Sequence, residues 1–156
     1  MTAYGDFIGQ VINYNLRDSY SRQFFEDIEN RCFYQIWSKI GSYNASKGEF
    51  KAWLGTVVKY QTIDYKRGLR ASLRDMEIDD SFIATHETPA SHDEIDLEPI
   101  FKLLTPTERQ VFDLYFNEDL YPEEISKKLQ MSTNAVYTNL SRGRKKIKEA
   151  DVRWQF

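Results

Sequence analysis

An all-α fold, built as two small helical domains on either side of an acidic linker, follows from three features of the chain. Apolar residues recur at steps of three and four through residues 24–40 and again through 50–58, the period of helices that bury one side. Thr105-Pro106-Thr107-Glu108 and Tyr121-Pro122-Glu123-Glu124 each place a proline and acids where a helix starts. The charge is also segmented. Residues 1–70 hold ten Lys/Arg against seven Asp/Glu, residues 71–100 one against nine, and residues 101–156 ten against eight. Two mildly basic lobes flank one acidic strap.

Composition narrows the classes further. With 29% charged and 41% apolar residues in 156, the chain suits a soluble globular protein. No run approaches the roughly 18 apolar residues that span a bilayer. Met1 to Gln10 lacks the basic start and apolar stretch of a secretory signal, so a cytoplasmic protein with no membrane insertion is expected. Cys32 is the single cysteine, which excludes an internal disulfide, and with only His86 and His92 beside it no Cys/His zinc cluster is expected.

The first lobe opens with a helix from Tyr4 to Asn15, with Phe7, Ile8, Val11 and Ile12 inward. Phe24, Phe25, Ile28, Cys32, Phe33, Ile36, Trp37 and Ile40 predict one apolar stripe on a second helix, stopped near Gly41. After the polar loop SYNASKGE, Phe50, Trp53, Leu54, Val57 and Val58 begin a third, expected to reach Arg67 and stop at Gly68. Its opposite face carries Lys59, Tyr60, Asp64, Lys66, Arg67 and Arg70 with Tyr65 interleaved, which suits stacking and neutralisation of a single DNA strand. Asp64 has a second role open to it, pairing with Arg67 at a spacing of three.

Residues 71–97 show no sustained period and carry Ser, Thr and Pro signals, so they read as linker. In the second lobe, Thr105 caps a helix that buries Val111, Phe112 and Tyr115. A short helix after Pro122 points Ile125 and Leu129 inward. The break Gln130-Met131-Ser132 then leads to a longer helix with Val136, Leu140 and Ile147 inward, a helix-turn-helix order. Arg142, Arg144, Lys145, Lys146 and Lys148 lie on that longer helix, where phosphate contacts are wanted. No catalytic group is expected. His86 and His92 fall in the linker, the carboxylate pairs are sequence neighbours, and the seven glycines form no phosphate loop, so neither an enzyme nor a cofactor is expected.

Glu26-Asp27-Ile28 through Phe33 and Trp37, then GEFKAWLGTVVKYQTIDYKR, LLTPTERQVFDLYF and the SxxAVYxxLSRGRKKI stretch, resemble the extracytoplasmic-function group of bacterial RNA polymerase sigma factors in the sigma-70 superfamily. The resemblance runs from about Phe25 to Arg70 and from about Leu103 to Lys148. It implies a region 2-like helical bundle over 1–70, an acidic linker over 71–98, a region 4-like helix-turn-helix domain over 99–150 and a tail over 151–156. It implies a sigma factor that directs promoter recognition and transcription initiation. The implied partners are core RNA polymerase, promoter DNA and an anti-sigma factor.

By the same resemblance, polymerase contacts fall on Asp27, Asn30, Arg31 and Gln35. The family usually has Gln-Glu where this chain has Asn30-Arg31, so Arg31 reverses a charge; a merely solvated face is the plain alternative for the acids around it. Minus-ten contacts fall on Tyr43, Asn44, Ser46, Lys59, Tyr60, Lys66 and Arg67. The Tyr43 to Lys47 segment matches the loop that captures a flipped base in the family, with an ordinary helix–helix loop as the alternative. Minus-thirty-five contacts fall on Ser132, Thr133, Asn134, Tyr137, Thr138, Asn139, Arg142, Arg144 and Lys145. Ser132 is a natural cap that leaves backbone amides toward a phosphate, and Asn134 suits adenine readout. Two other readings stay open: a two-lobed transcription activator, and a partial sigma factor that needs a second polypeptide. The short segment before the resemblance motivates the latter. Trp154 and Phe156 form a small apolar tail suited to packing on the second lobe or on a partner.

Overall fold

Helix α1, Gly5–Asn15, buries Ile8, Val11 and Ile12, the face its spacing predicts. The structure, a computed structural model, describes residues 3–76 and 98–150. Contacts divide the chain into two units, one holding the first described stretch and one the second. The expected linker over 77–97, with His86 and His92, and the tail with Trp154 and Phe156 lie outside the described residues.

Asp18 starts the short α2, Ser19–Arg22, by accepting from the Ser21 amide at 2.7 Å, a helix the apolar spacing did not announce. Helix α3, Phe25–Lys39, ends in a 3-10 turn, Ile40–Ser42, at the predicted glycine. Helix α4 spans Phe50–Asp75 and packs against both α1 and α3. Ile8, Ile12, Leu16, Ile28, Cys32, Leu54 and Val58 meet in one core, with Phe7, Phe25, Ile36 and Trp53 packed around it. Cys32 sits fully inside it, and burial pushes its thiol up to about 12 despite a lowering hydrogen bond with Thr62.

Two expectations need correction. Helix α4 runs through Gly68 to Asp75, so residues 71–75, expected as linker, are helix. A glycine inside a helix costs about 1 kcal/mol relative to alanine. The helix formers Leu69, Arg70, Ala71, Leu73 and Arg74 follow it, and Leu73 is buried, which outweighs that cost. The stripe on α3 also splits. Ile28 and Cys32 are buried with Phe25 and Ile36 beside them, whereas Phe33, Trp37 and Ile40 are exposed. Among the described residues α3 packs chiefly on α1 and α4, and residues one position round the helix from the inner row face away from both.

The second unit begins with α5, Glu98–Phe101, and α6, Pro106–Phe116. Thr105 and Glu108 form the predicted capping box, the Thr105 amide donating to Glu108 at 2.9 Å and the Glu108 amide to Thr105 at 3.3 Å. Helices α7, Pro122–Leu129, and α8, Thr133–Glu149, meet across Gln130, whose φ of 52° makes the sharp turn. Helix α8 packs on both α6 and α7 and buries Val136, Leu140, Gly143 and Ile147. No described helix is long and apolar enough to cross a membrane.

At Gly143 helix α8 passes tightly over Phe112 of α6. A Cβ placed there would lie 2.4 Å from the Phe112 ring and 3.2 Å from Leu104. Gly143→Ala is therefore expected to destabilise the second unit by about 1–3 kcal/mol through overpacking, although alanine is the better helix former. Urea unfolding of the full chain measures it; a stabilised variant would show that Phe112 moves aside without cost.

Glu108 is 3% exposed and receives Lys146 Nζ at 2.7 Å. Burial pushes its carboxyl up, but the Lys146 ammonium and the Thr105 bonds together hold it below the ordinary carboxylate value. The stability this gives is complete above the ordinary glutamate range and is lost as pH falls through the lowered value. Glu108→Gln is expected to flatten that acid-side loss, read by unfolding of the second unit between neutral and acid pH.

Candidate functional site

Helix α3 presents its outer face without a covering element among the described residues. Asp27, Asn30 and Arg31 are exposed there, and Gln35 is half-buried. Beside them stand Phe33, Tyr34 at 69% exposure and Trp37 at 83%. Asp27, Asn30, Tyr34 and Trp37 follow one another at steps of three and four, so a polar and an aromatic pair share one side of the helix. The periodic stripe had sent Phe33 and Trp37 inward; only the count of neighbouring helices shows them facing out.

Tyr65 of α4 reaches across to this face. The Arg31 guanidinium carbon lies 4.9 Å from the centre of the Tyr65 ring, a cation–π contact of about 0.5–1 kcal/mol at an exposed site. The Tyr65 hydroxyl stands a long 3.5 Å from Asp27 Oδ2, a weak bond. Burial first, and then the Asp27 charge, raise the Tyr65 pKa, with Arg31 acting the other way. Tyr65, expected among the cations of a face suited to a single DNA strand, is thus turned toward α3, where its ring also meets Phe24 at 6.0 Å.

The loop before α4 is ordered by its own side chains. Asn44 Oδ1 accepts from the Ser46 amide at 2.9 Å and from the Ser46 hydroxyl at 2.6 Å. Tyr43 donates to the Gly48 carbonyl at 3.1 Å, and its ring packs edge-on to Phe50 and tilted on Trp53. Asn44 and Ser46 remain exposed on a turn of fixed shape, while Tyr43 is half-buried scaffold.

The basic face expected along α4 is largely inside. Lys59 is 7% exposed and Lys66 8%, a correction to both as open DNA ligands. Lys66 Nζ donates to the Asn15 carbonyl at 2.8 Å, at the negative end of α1, and Arg22 Nε reaches the Leu16 carbonyl at 2.9 Å. Aliphatic stems let both lysines serve a packed face that the sequence alone shows only as charge. Tyr60 and Arg67 are half-buried. Lys51, Arg70 and Arg74 are the exposed cations of α4, and Arg74 lay beyond the expected end of the helix.

On α8, Ser132 caps the helix by accepting from the Ala135 amide at 3.1 Å. Asn134, Tyr137, Thr138, Arg142, Arg144 and Lys145 are exposed, and Thr133 is half-buried. Partial burial, and then Glu123 and Tyr115, raise the Tyr137 pKa, so its phenol stays a neutral donor. Thr138 donates to the Asn134 carbonyl at 2.9 Å. Asn139 departs from the expected readout role: half-buried, it donates to the Ala135 carbonyl of its own helix at 2.8 Å. Arg144 lies on the flank, its guanidinium 5.7 Å from the Tyr115 ring, and Lys146 is committed to Glu108. The outward row is Asn134, Thr138, Arg142 and Lys145, with Tyr137 beside it. Among the described residues no His, Cys, Asp and Glu cluster suited to a metal occurs.

Lys66→Met is expected to cost the first unit about 1–3 kcal/mol, because the Asn15 carbonyl loses its buried ammonium donor. The salt dependence of DNA binding should stay as it is. A shallower salt slope without lost stability would mean that Lys66 swings out to a phosphate.

The family model described as "Sigma-70 region 2" matches residues 4–72, taking in α1, and that described as "Sigma-70, region 4" matches residues 100–147. No curated protein matches the chain. Among solved structures, the sigma factor RpoE in complex with the anti-sigma factor NepR from Bartonella quintana aligns at 19% identity and a TM-score of 0.38, over 94% of this chain and 93% of that one. The two family matches together cover well over half of the sequence, and the fold supplies a helical bundle and a helix-turn-helix where each falls. The chain belongs to the sigma-70 family, as a sigma factor with region 2 and region 4 domains.

Proposed function

We propose that this protein directs core RNA polymerase to promoter DNA and starts transcription there. The region 2 domain grips the polymerase through the outer face of α3, with Asp27, Asn30 and Arg31 as its polar contacts and Phe33 and Trp37 as its apolar ones. The Tyr43–Lys47 loop and the exposed cations of α4 engage the opened minus-ten element, where an extruded base costs a few kcal/mol that stacking and edge contacts repay. The region 4 domain lays α8 in the major groove of the minus-thirty-five element, Asn134 and Tyr137 reading base edges and Arg142 and Lys145 holding phosphates. One observation carries the reading. Helix α8 keeps that row exposed while its other side is locked to α6 and α7 through Val136, Leu140, Gly143 and Ile147.

An anti-sigma factor fits the same reading as a competitor for the α3 face, since an exposed aromatic strip beside charged groups suits a second protein as well as polymerase. Co-elution of core polymerase, this chain and such an inhibitor would then show exclusive pairs and no ternary complex.

Run-off transcription with core polymerase and a library of genomic fragments tests the function. Discrete transcripts that depend on this chain alone are expected. Binding to duplex DNA without transcripts would favour an activator, and transcripts only after a second polypeptide is added would favour a partial factor. Within that assay, Arg142→Ala should weaken binding to all promoters and lower the salt slope by about one, while Asn134→Ala and Tyr137→Ala should change the preferred sequence. Uniform loss from all three would remove α8 from its reading role.

A further inference from the structure

Asp27 and Arg31 stand one helical turn apart in the order, acid before base, that ordinarily lets such a pair close on itself. They do not close. The Tyr65 ring takes the guanidinium at 4.9 Å and its hydroxyl faces the carboxylate at 3.5 Å, so one aromatic residue of α4 contacts both ions. A ring under one face of a guanidinium leaves the in-plane N–H donors pointing outward, fit for a carboxylate. Resting on the proposed polymerase contact of α3, we propose that Tyr65 is a positioning residue that keeps Asp27 and Arg31 apart and presented, so that this surface takes a partner with an acid opposite Arg31 and a base opposite Asp27.

The parts agree with one another. An arginine one turn from Asp27 with nothing beside it is free to pair with that carboxylate and cancel its charge. Tyr65 is half-buried between α3 and α4, anchored by Phe24, so its ring has little freedom to leave. Trp37, Tyr34 and Asn30 continue the same exposed face and give the partner apolar area beside the two charges. Because the ring comes from α4, the helix proposed to meet DNA, its placement also depends on the packing of α3 against α4.

The test uses the full-length chain and core RNA polymerase, with affinity measured at several salt concentrations. Tyr65→Leu removes the ring, frees Arg31 to pair with Asp27, and should weaken binding by about two- to fivefold, the range expected for one exposed cation–π contact. Tyr65→Phe keeps the ring and should recover most of that loss. Arg31→Met should weaken binding as well, and adding Tyr65→Leu to it should cost nothing further, since the ring acts through the guanidinium. Equal losses from Tyr65→Leu with and without Arg31 would reduce Tyr65 to a packing role and overturn the proposal, as would undiminished affinity for Tyr65→Leu. If Tyr65→Leu does not fold, Tyr65→Met takes its place, and the ring-current shift of the Arg31 δ-methylene protons in the native chain gives a separate reading; an unshifted resonance overturns the proposal. Asp27→Lys and Arg31→Glu keep the two claims apart. Should neither change polymerase affinity, the α3 contact itself is wrong, whatever Tyr65 does.

Discussion

The bond from Lys66 to the Asn15 carbonyl stands for the constraint on which the region 2 domain depends. Helix α4 must bury a long side against two other helices although its sequence places lysines on that side. A buried ammonium without a partner is costly, and the free carbonyls that end α1 supply one. The polar problem of α4 and the polar problem of α1 thus solve each other. Once α1 is fixed along α4, Leu16, Ile12 and Ile8 meet Ile28, Cys32, Leu54 and Val58, and α3 has a single place to lie. The direction of its outer face, with Trp37 and Arg31, follows from that placement.

The region 4 domain reaches a comparable result with different chemistry. Gly143 lets α8 approach Phe112 closely, and Glu108 works twice, capping α6 and receiving Lys146 from α8. Steric fit and an ion pair with a buried carboxylate therefore set the rotation of α8 about its axis. That rotation decides which side chains face outward. Arg142 and Lys145 are left on the exposed row, Lys146 is tied to Glu108 of α6, and Arg144, also exposed, sits on the flank near Tyr115. In both domains the surface offered to a macromolecule is a by-product of how the inner side is locked.

Local chemistry in the sequence carried most of the helices. The Thr105–Glu108 box, the prolines at helix starts and the Ser132 cap act within one turn, so their residues alone predict them, and the structure shows each in place. Gly68 misled because a glycine stops a helix only when nothing beyond it rewards continuation, and Leu73 does. Lys59 and Lys66 misled because charge predicts exposure only for an unpaired group, and the partner of Lys66 lies 51 positions away in sequence. Trp37 misled in the other direction, since periodicity marks apolar positions without saying how many neighbours a helix has. The Tyr65–Arg31 contact joins two helices and could not be read from either alone. Asn44 and Ser46 are legible in the sequence as loop residues, and their mutual bonds add a fixed shape to it.

Thymine reactivity toward permanganate on a promoter bound by core polymerase and this chain tests the joint reading of both domains most directly. A sigma factor that places region 2 at the minus-ten element and α8 at the minus-thirty-five element should make minus-ten thymines reactive while the minus-thirty-five backbone becomes protected from hydroxyl radicals. Protection of duplex DNA at both elements with no reactive thymine would contradict it, and would leave a protein that binds promoters without opening them.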